Sequence, residues 1–124
     1  MTPDDNREGN PAENGLRLFS KPESQGLKKE LVMQLNKDLS MSGLDASIDE
    51  ELSPGEIVTR LKVILDGLVR DDFQGFLNLL YRVDVSQSNM SRSEDSSFSD
   101  YIERSTFELL KREWQKVWIR NKIR

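Results

Sequence analysis

Residues 100–124 read DYIERSTFELLKREWQKVWIRNKIR. Apolar residues recur in this stretch at intervals of three and four, which is the spacing of one face of an α-helix. At 100° per residue they form a stripe about 100° wide. The stripe consists of Phe107, Leu110, Trp114, Val117 and Trp118. We therefore predict a long amphipathic C-terminal helix over residues 100–124, with Asp100 as N-cap and Glu103 completing a capping box.

The end of this predicted helix is basic, whereas the rest of the chain is acidic. Residues 111–124 contain six basic side chains and one acidic side chain, and residues 1–110 contain 12 basic and 21 acidic ones. Arg112, Lys116 and Arg120 recur every four residues, opposite the apolar stripe. Segregated basic and apolar faces are typical of a helix that docks on a partner, contacts phosphates or lies on an anionic membrane. The alternative is structural: the tryptophans belong to the core, and the basic residues face solvent and offset the helix dipole.

Residues 26–85 are predicted to form a three-helix core. Leucines at four-residue spacing predict a first helix over residues 27–41. Ser53 and Glu56 fit the Ser-x-x-Glu capping box, and Pro54 suits the first turn of a second helix. The acidic residues 44–51 between these two helices are predicted to form a loop.

A third helix is predicted to follow Asp71 or Asp72, either of which can cap it, and to run to about Arg82. Its apolar residues cover more than half of the helix circumference, so we expect it to be the most enclosed element. Residues 79–85 also alternate in the manner of a β-strand, but the sequence offers no second strand to pair with them.

Two segments are predicted to be disordered. Residues 1–25 are mostly polar, contain three prolines, and cannot bury enough surface to offset chain entropy. Their apolar island, Leu16 to Phe19, is either part of a flexible tail or a short docking motif. Residues 86–99 contain seven serines and are predicted to form a flexible linker before the C-terminal helix.

The composition lacks the residue types on which many catalytic and metal sites depend. The chain has no cysteine and no histidine, and it contains no nucleotide-binding or zinc-binding motif. We therefore predict no catalytic, cofactor-binding or metal-binding residue, and no small-molecule substrate. The N-terminal residues do not resemble a signal peptide, and no segment is apolar enough to span a membrane, so the expected location is cytoplasmic.

The sequence thus predicts an all-α, four-helix bundle-like domain that acts as a non-catalytic protein–protein interaction or adaptor module. At 1.5 Å per residue, the long helix exceeds the second by about two turns, so its basic end is expected to overhang the core. A protein partner or a second copy is expected; nucleic acid is the alternative, and a membrane surface is the third possibility. The predicted contact residues are Trp114, Trp118, Arg112, Lys116, Arg120 and Arg124.

Overall fold

The computed structural model describes residues 26–86 and 97–122. In these two ranges the chain forms four α-helices and no β-strand. The helices are α1 (Lys28–Met41), α2 (Pro54–Asp71), α3 (Phe73–Val83) and α4 (Phe98–Lys122). The predicted tail (1–25), most of the predicted linker (87–96) and Arg124 lie outside the described residues. The strand interpretation of residues 79–85 is wrong, because α3 continues to Val83.

The all-α bundle expected from the sequence is confirmed, with α4 at its centre. This helix packs against each of the other three helices, and six consecutive residues, 105–110, are buried. The third helix was expected to be the most enclosed element, and five of the eleven residues of α3 are buried, a larger fraction than the ten of 25 in α4. Tyr81, which is 89% exposed, and Phe73 nevertheless face outward. Like α4, α3 packs against each of the other three helices.

The predicted start of α2 is confirmed. The Ser53 side chain accepts a hydrogen bond from the Glu56 N–H, and the Glu56 carboxylate accepts one from the Ser53 N–H. At the other end, the Asp72 carboxylate accepts a hydrogen bond of 3.0 Å from the Gly75 N–H and caps α3. Ser53 thus sets the start of α2 and Asp72 sets the start of α3, and the two helices form an αα-hairpin.

The predicted cap of α4 is wrong by three residues. Ser97 is the capping residue: its hydroxyl accepts a hydrogen bond from the Asp100 N–H, and the Asp100 carboxylate accepts one from the Ser97 N–H. The helix therefore begins at Phe98, inside the segment predicted to be a linker. The Arg70 guanidinium lies 4.5 Å above the Phe98 ring and fixes this start against α2.

The acidic loop between α1 and α2 is held against α1. Gly43 ends α1 with a left-handed φ of 79°, as expected for a helix C-terminus. The Asn36 amide then donates to the Ile48 carbonyl at 2.9 Å and accepts from the Ile48 N–H at 2.7 Å, while the Ile48 side chain is buried. Glu50 pairs with Lys29 of α1 at 3.7 Å. These contacts hold the loop against α1.

A membrane crossing needs a longer run of apolar residues than any helix in residues 26–86 and 97–122 provides. Most apolar side chains of each helix lie on the face directed into the bundle. This arrangement places the core along α4 and leaves the outer faces of α1, α2 and α3 at the surface.

Candidate functional site

The C-terminal half of α4 lies antiparallel to α1. Arg120 reaches Glu30 and Gln34 near the start of α1, and Asn121 donates to Glu30 at 3.1 Å. Lys116, one turn earlier on α4, reaches Asp38 near the end of α1. The expected overhang is therefore wrong for the described part of α4, because the helix passes from α2 to α1 and its end contacts α1.

All three predicted contact cations at four-residue spacing on α4 are paired with carboxylates of the same molecule. The pairs involve two residues of α1 and the residue that ends α3. They are Arg120 with Glu30 at 2.8 Å, Lys116 with Asp38 at 3.3 Å, and Arg112 with Asp84 at 3.3 Å. The basic face of α4 is thus a packing surface in the described part of the chain.

The pairs with α1 follow a common spacing. Glu30, Gln34 and Asp38 recur every four residues on α1, and Lys116 and Arg120 recur every four residues on α4. Because residues four apart lie on the same helix face, two antiparallel helices with this spacing bring successive partners together. We call this set of five residues the α1–α4 ladder.

The two tryptophans of α4 have different environments. Trp114 is 1% exposed and belongs to the core. Trp118 is partly buried against the core, and the Lys122 ammonium lies 5.3 Å from its ring. Of the two tryptophans, Trp118 is therefore the one that offers apolar surface to another molecule. The role of the six predicted contact residues in binding a partner stays a prediction.

A buried carboxyl pair lies behind the ladder. Asp38 and Glu113 are both buried, and Glu113 is 0% exposed. Burial and the neighbouring Asp38 carboxylate together raise the pKa of the Glu113 carboxyl to about 9, against the opposing effect of Lys116. Burial also acts to raise the pKa of Asp38, but hydrogen bonds from Glu113 and Gln34 and the charge of Lys116 leave that pKa lowered.

With a pKa of about 9, the Glu113 carboxyl is protonated at neutral pH and can donate a hydrogen bond to the ionised Asp38. Neither Glu113 oxygen receives a hydrogen bond from the described residues, although the Lys116 ammonium lies 3.3 Å from Oε1. A protonated carboxyl tolerates this environment better than a carboxylate does. The Asp38 charge is matched by the Arg82 Nε at 2.9 Å and by Lys116.

The sequence did not predict a role for this pair. Glu113 is the single acid among the six basic residues of 111–124, and an acid at a buried position of a helix was the available signal. The grooves along α1 and α2 are not lined by Asp38 or Glu113, and residues 26–86 and 97–122 contain no cluster of side chains that could hold a metal ion.

Exposed apolar side chains occur on all four helices, and the one on α2 is Val63. A groove of about 690 Å³ follows the first turns of α2, and a second of about 420 Å³ lies where α2 meets the start of α4. Val63 borders both and is 57% exposed. We call these two together the α2 groove. Its apolar lining is Leu52, Val58, Val63, Phe98 and Ile102.

A third groove, of about 630 Å³, lies on the outer face of α1 around Met33. Its lining includes Glu30 and Arg120, which pair with each other in the ladder. Comparison of the chain with protein-family models, with curated proteins and with solved structures finds no match. The function is therefore inferred from the contrast between the paired charges of α4 and the exposed α2 groove.

Proposed function

We propose that the protein is a non-catalytic helical interaction module that binds a partner helix along the α2 groove. The observation that carries the proposal is the exposure of Val63 between two grooves whose linings combine apolar and charged residues. Burying an exposed apolar side chain of this kind contributes about 25 cal/mol per Å² of apolar surface.

The charges around the α2 groove favour a protein helix as the occupant. Lys62 forms an ion pair with Glu103 across the groove, and Arg70 pairs with Asp66 at 2.6 Å. These pairs leave no excess of positive charge to attract phosphates. A groove that combines apolar residues with balanced charges suits one face of an amphipathic helix.

The basic face of α4 provides weaker support as a contact surface. A partner there has to compete with Glu30, Asp38 and Asp84 for the three cations, and it gains no area from the buried Trp114. Nucleic acid faces the same competition, because its phosphates would have to replace carboxylates already in contact. Binding in the α2 groove disturbs no core contact.

The test is site-specific photo-crosslinking in the cells that produce the protein. A benzophenone amino acid is placed at Val63 in one variant and at Met41 in another; Met41 is 63% exposed and lies on α1, away from the groove. We expect a discrete protein adduct from position 63 and none from position 41. Adducts of equal yield at both positions, or none at position 63, would contradict the proposal.

A further inference from the structure

The outer face of α2 has a pattern of residues that is symmetric about Val63. The positions seven residues before and after Val63 carry opposite charges, Glu56 and Arg70. Glu56, Val63 and Arg70 form a line along α2, which we call the stripe of α2. Closer to Val63, Thr59 and Asp66 lie on one side of this stripe, and Arg60 and Gly67 lie on the other. All seven are exposed except Asp66, which is half-buried.

The charges at the two ends of the stripe complement each other only in one orientation. Seven residues make nearly two helical turns, so Glu56, Val63 and Arg70 lie within about 20° of one line along α2. When a second α2 packs antiparallel with a two-fold axis at Val63, each Glu56 meets the Arg70 of the other copy. Parallel packing in register brings like charges together instead.

The sides of the stripe are compatible with the same arrangement. A two-fold axis between antiparallel helices brings each side of the stripe against the same side of the copy. Thr59 then lies beside Asp66 of the copy, where its hydroxyl can donate to the carboxylate, and Arg60 lies over Gly67. A Cβ added at Gly67 would meet no atom within 4 Å, so the space above it is open for the Arg60 stem.

Both end charges keep atoms available for a partner. Glu56 uses Oε1 to cap α2, which leaves its second carboxylate oxygen. Arg70 uses Nε toward Asp66, which leaves the outer guanidinium nitrogens. A helix of 18 residues is about 27 Å long, so the stripe runs along most of α2.

We propose that the partner helix is α2 of a second copy of this chain, packed antiparallel to form a symmetric dimer. The inference rests on the proposed function and names its partner. Val63 of each copy meets Val63 of the other at the axis, and the Glu56–Arg70 pair forms twice. Each pair is solvent-exposed and contributes modestly, so the two Val63 side chains and the groove supply the apolar part of the contact.

The experiment is sedimentation equilibrium of the full chain and two charge-reversal variants, Glu56→Lys and Arg70→Glu. Each variant alone places like charges together twice, and we expect its dimer dissociation constant to rise about tenfold or more. An equimolar mixture contains opposite charges at both sites, so its dissociation constant should return toward the unmodified value. The controls are Glu51→Lys and Lys37→Glu, which alter exposed charges outside the stripe.

Restoration by mixing also shows that both variants are folded. A wild-type chain that stays monomeric at every concentration overturns the dimer; if Val63 still crosslinks to a different protein, the interaction function survives. A wild-type dimer that the single variants do not weaken, or that mixing does not restore, overturns the antiparallel pairing. Circular dichroism of each variant checks the helix content, because Glu56→Lys removes one half of the capping box.

Discussion

The basic face of α4 and the outer face of α2 carry similar patterns but occupy different places in the molecule. Both present charged residues at four-residue spacing. On α4 the charges meet carboxylates of neighbouring helices, and Trp114 is in the core. On α2 the complementary end charges lie 14 residues apart, beyond each other's reach, and Val63 is exposed. Charge spacing therefore identifies a contact face without saying whether the contact is internal.

The strongest way to break the internal contact is to remove its largest core side chain. Replacing Trp114 with Ala should lower the free energy of unfolding by about 3–5 kcal/mol, because the change leaves a large cavity between α4 and its neighbours. Trp118→Ala is the matched control and should cost clearly less, since Trp118 is only partly buried. Urea unfolding followed by circular dichroism measures both; equal losses would contradict the different placement of the two rings.

The buried carboxyl pair separates the roles of its two members. Asp38→Asn should cost about 3 kcal/mol, because it leaves Arg82 and Lys116 without their carboxylate. Glu113→Gln should cost less than about 1 kcal/mol, because an amide has the shape of the protonated acid and can still donate to Asp38. Urea unfolding of both variants at pH 7 provides the measurement. A larger loss for E113Q than for D38N would mean that Glu113 is ionised.

The pH dependence of stability tests the same pair without altering Asp38. The pKa of Glu113 rises from 4.5 to about 9 on folding, so between these values the folded protein keeps a proton that the unfolded chain releases. Stability from this group is complete below about pH 4.5 and is lost as the pH rises toward 9, by up to about 1.4 kcal/mol per pH unit. Unfolding at pH 5 to 9 should show this decline in the wild type and lack it in E113Q.

The smallest effect is expected at the solvent-facing end of the ladder. Arg120→Gln should cost less than about 1 kcal/mol, because its pair with Glu30 is largely exposed to water and screened by salt. Thermal unfolding at low and high salt should show a difference from the wild type only at low salt. A loss that persists at high salt would show that the pair is less solvated than the structure indicates.

Local sequence signals were sufficient for the four helices and for the start of α2 and α3. Helix ends that depend on neighbouring residues can be predicted from the sequence. They include the Ser53–Glu56 capping box, the Asp72 cap and Gly43. The start of α4 was missed because two overlapping signals were present. Ser97 and Asp100 form the box, whereas the pattern was attributed to Asp100 and Glu103.

The residues of α4 alone do not predict which side chains of the other helices pack against it. A single helix wheel shows a basic face, but it does not show that α1 presents Glu30 and Asp38 at the matching spacing. That match was available by comparing charge spacing between helices. The protonation of Glu113 could not be found in this way, because it depends on burial and on the position of Asp38 in three dimensions.

The proposed dimer uses the outer face of α2 for contacts between molecules, whereas the basic face of α4 is paired within the molecule. Backbone amide NMR spectra of the wild-type chain over a series of concentrations separate the two faces. We expect concentration-dependent shifts for residues 56–70 and unchanged positions for residues 112–120. Shifts confined to residues 112–120, with residues 56–70 unchanged, would contradict the proposed dimer.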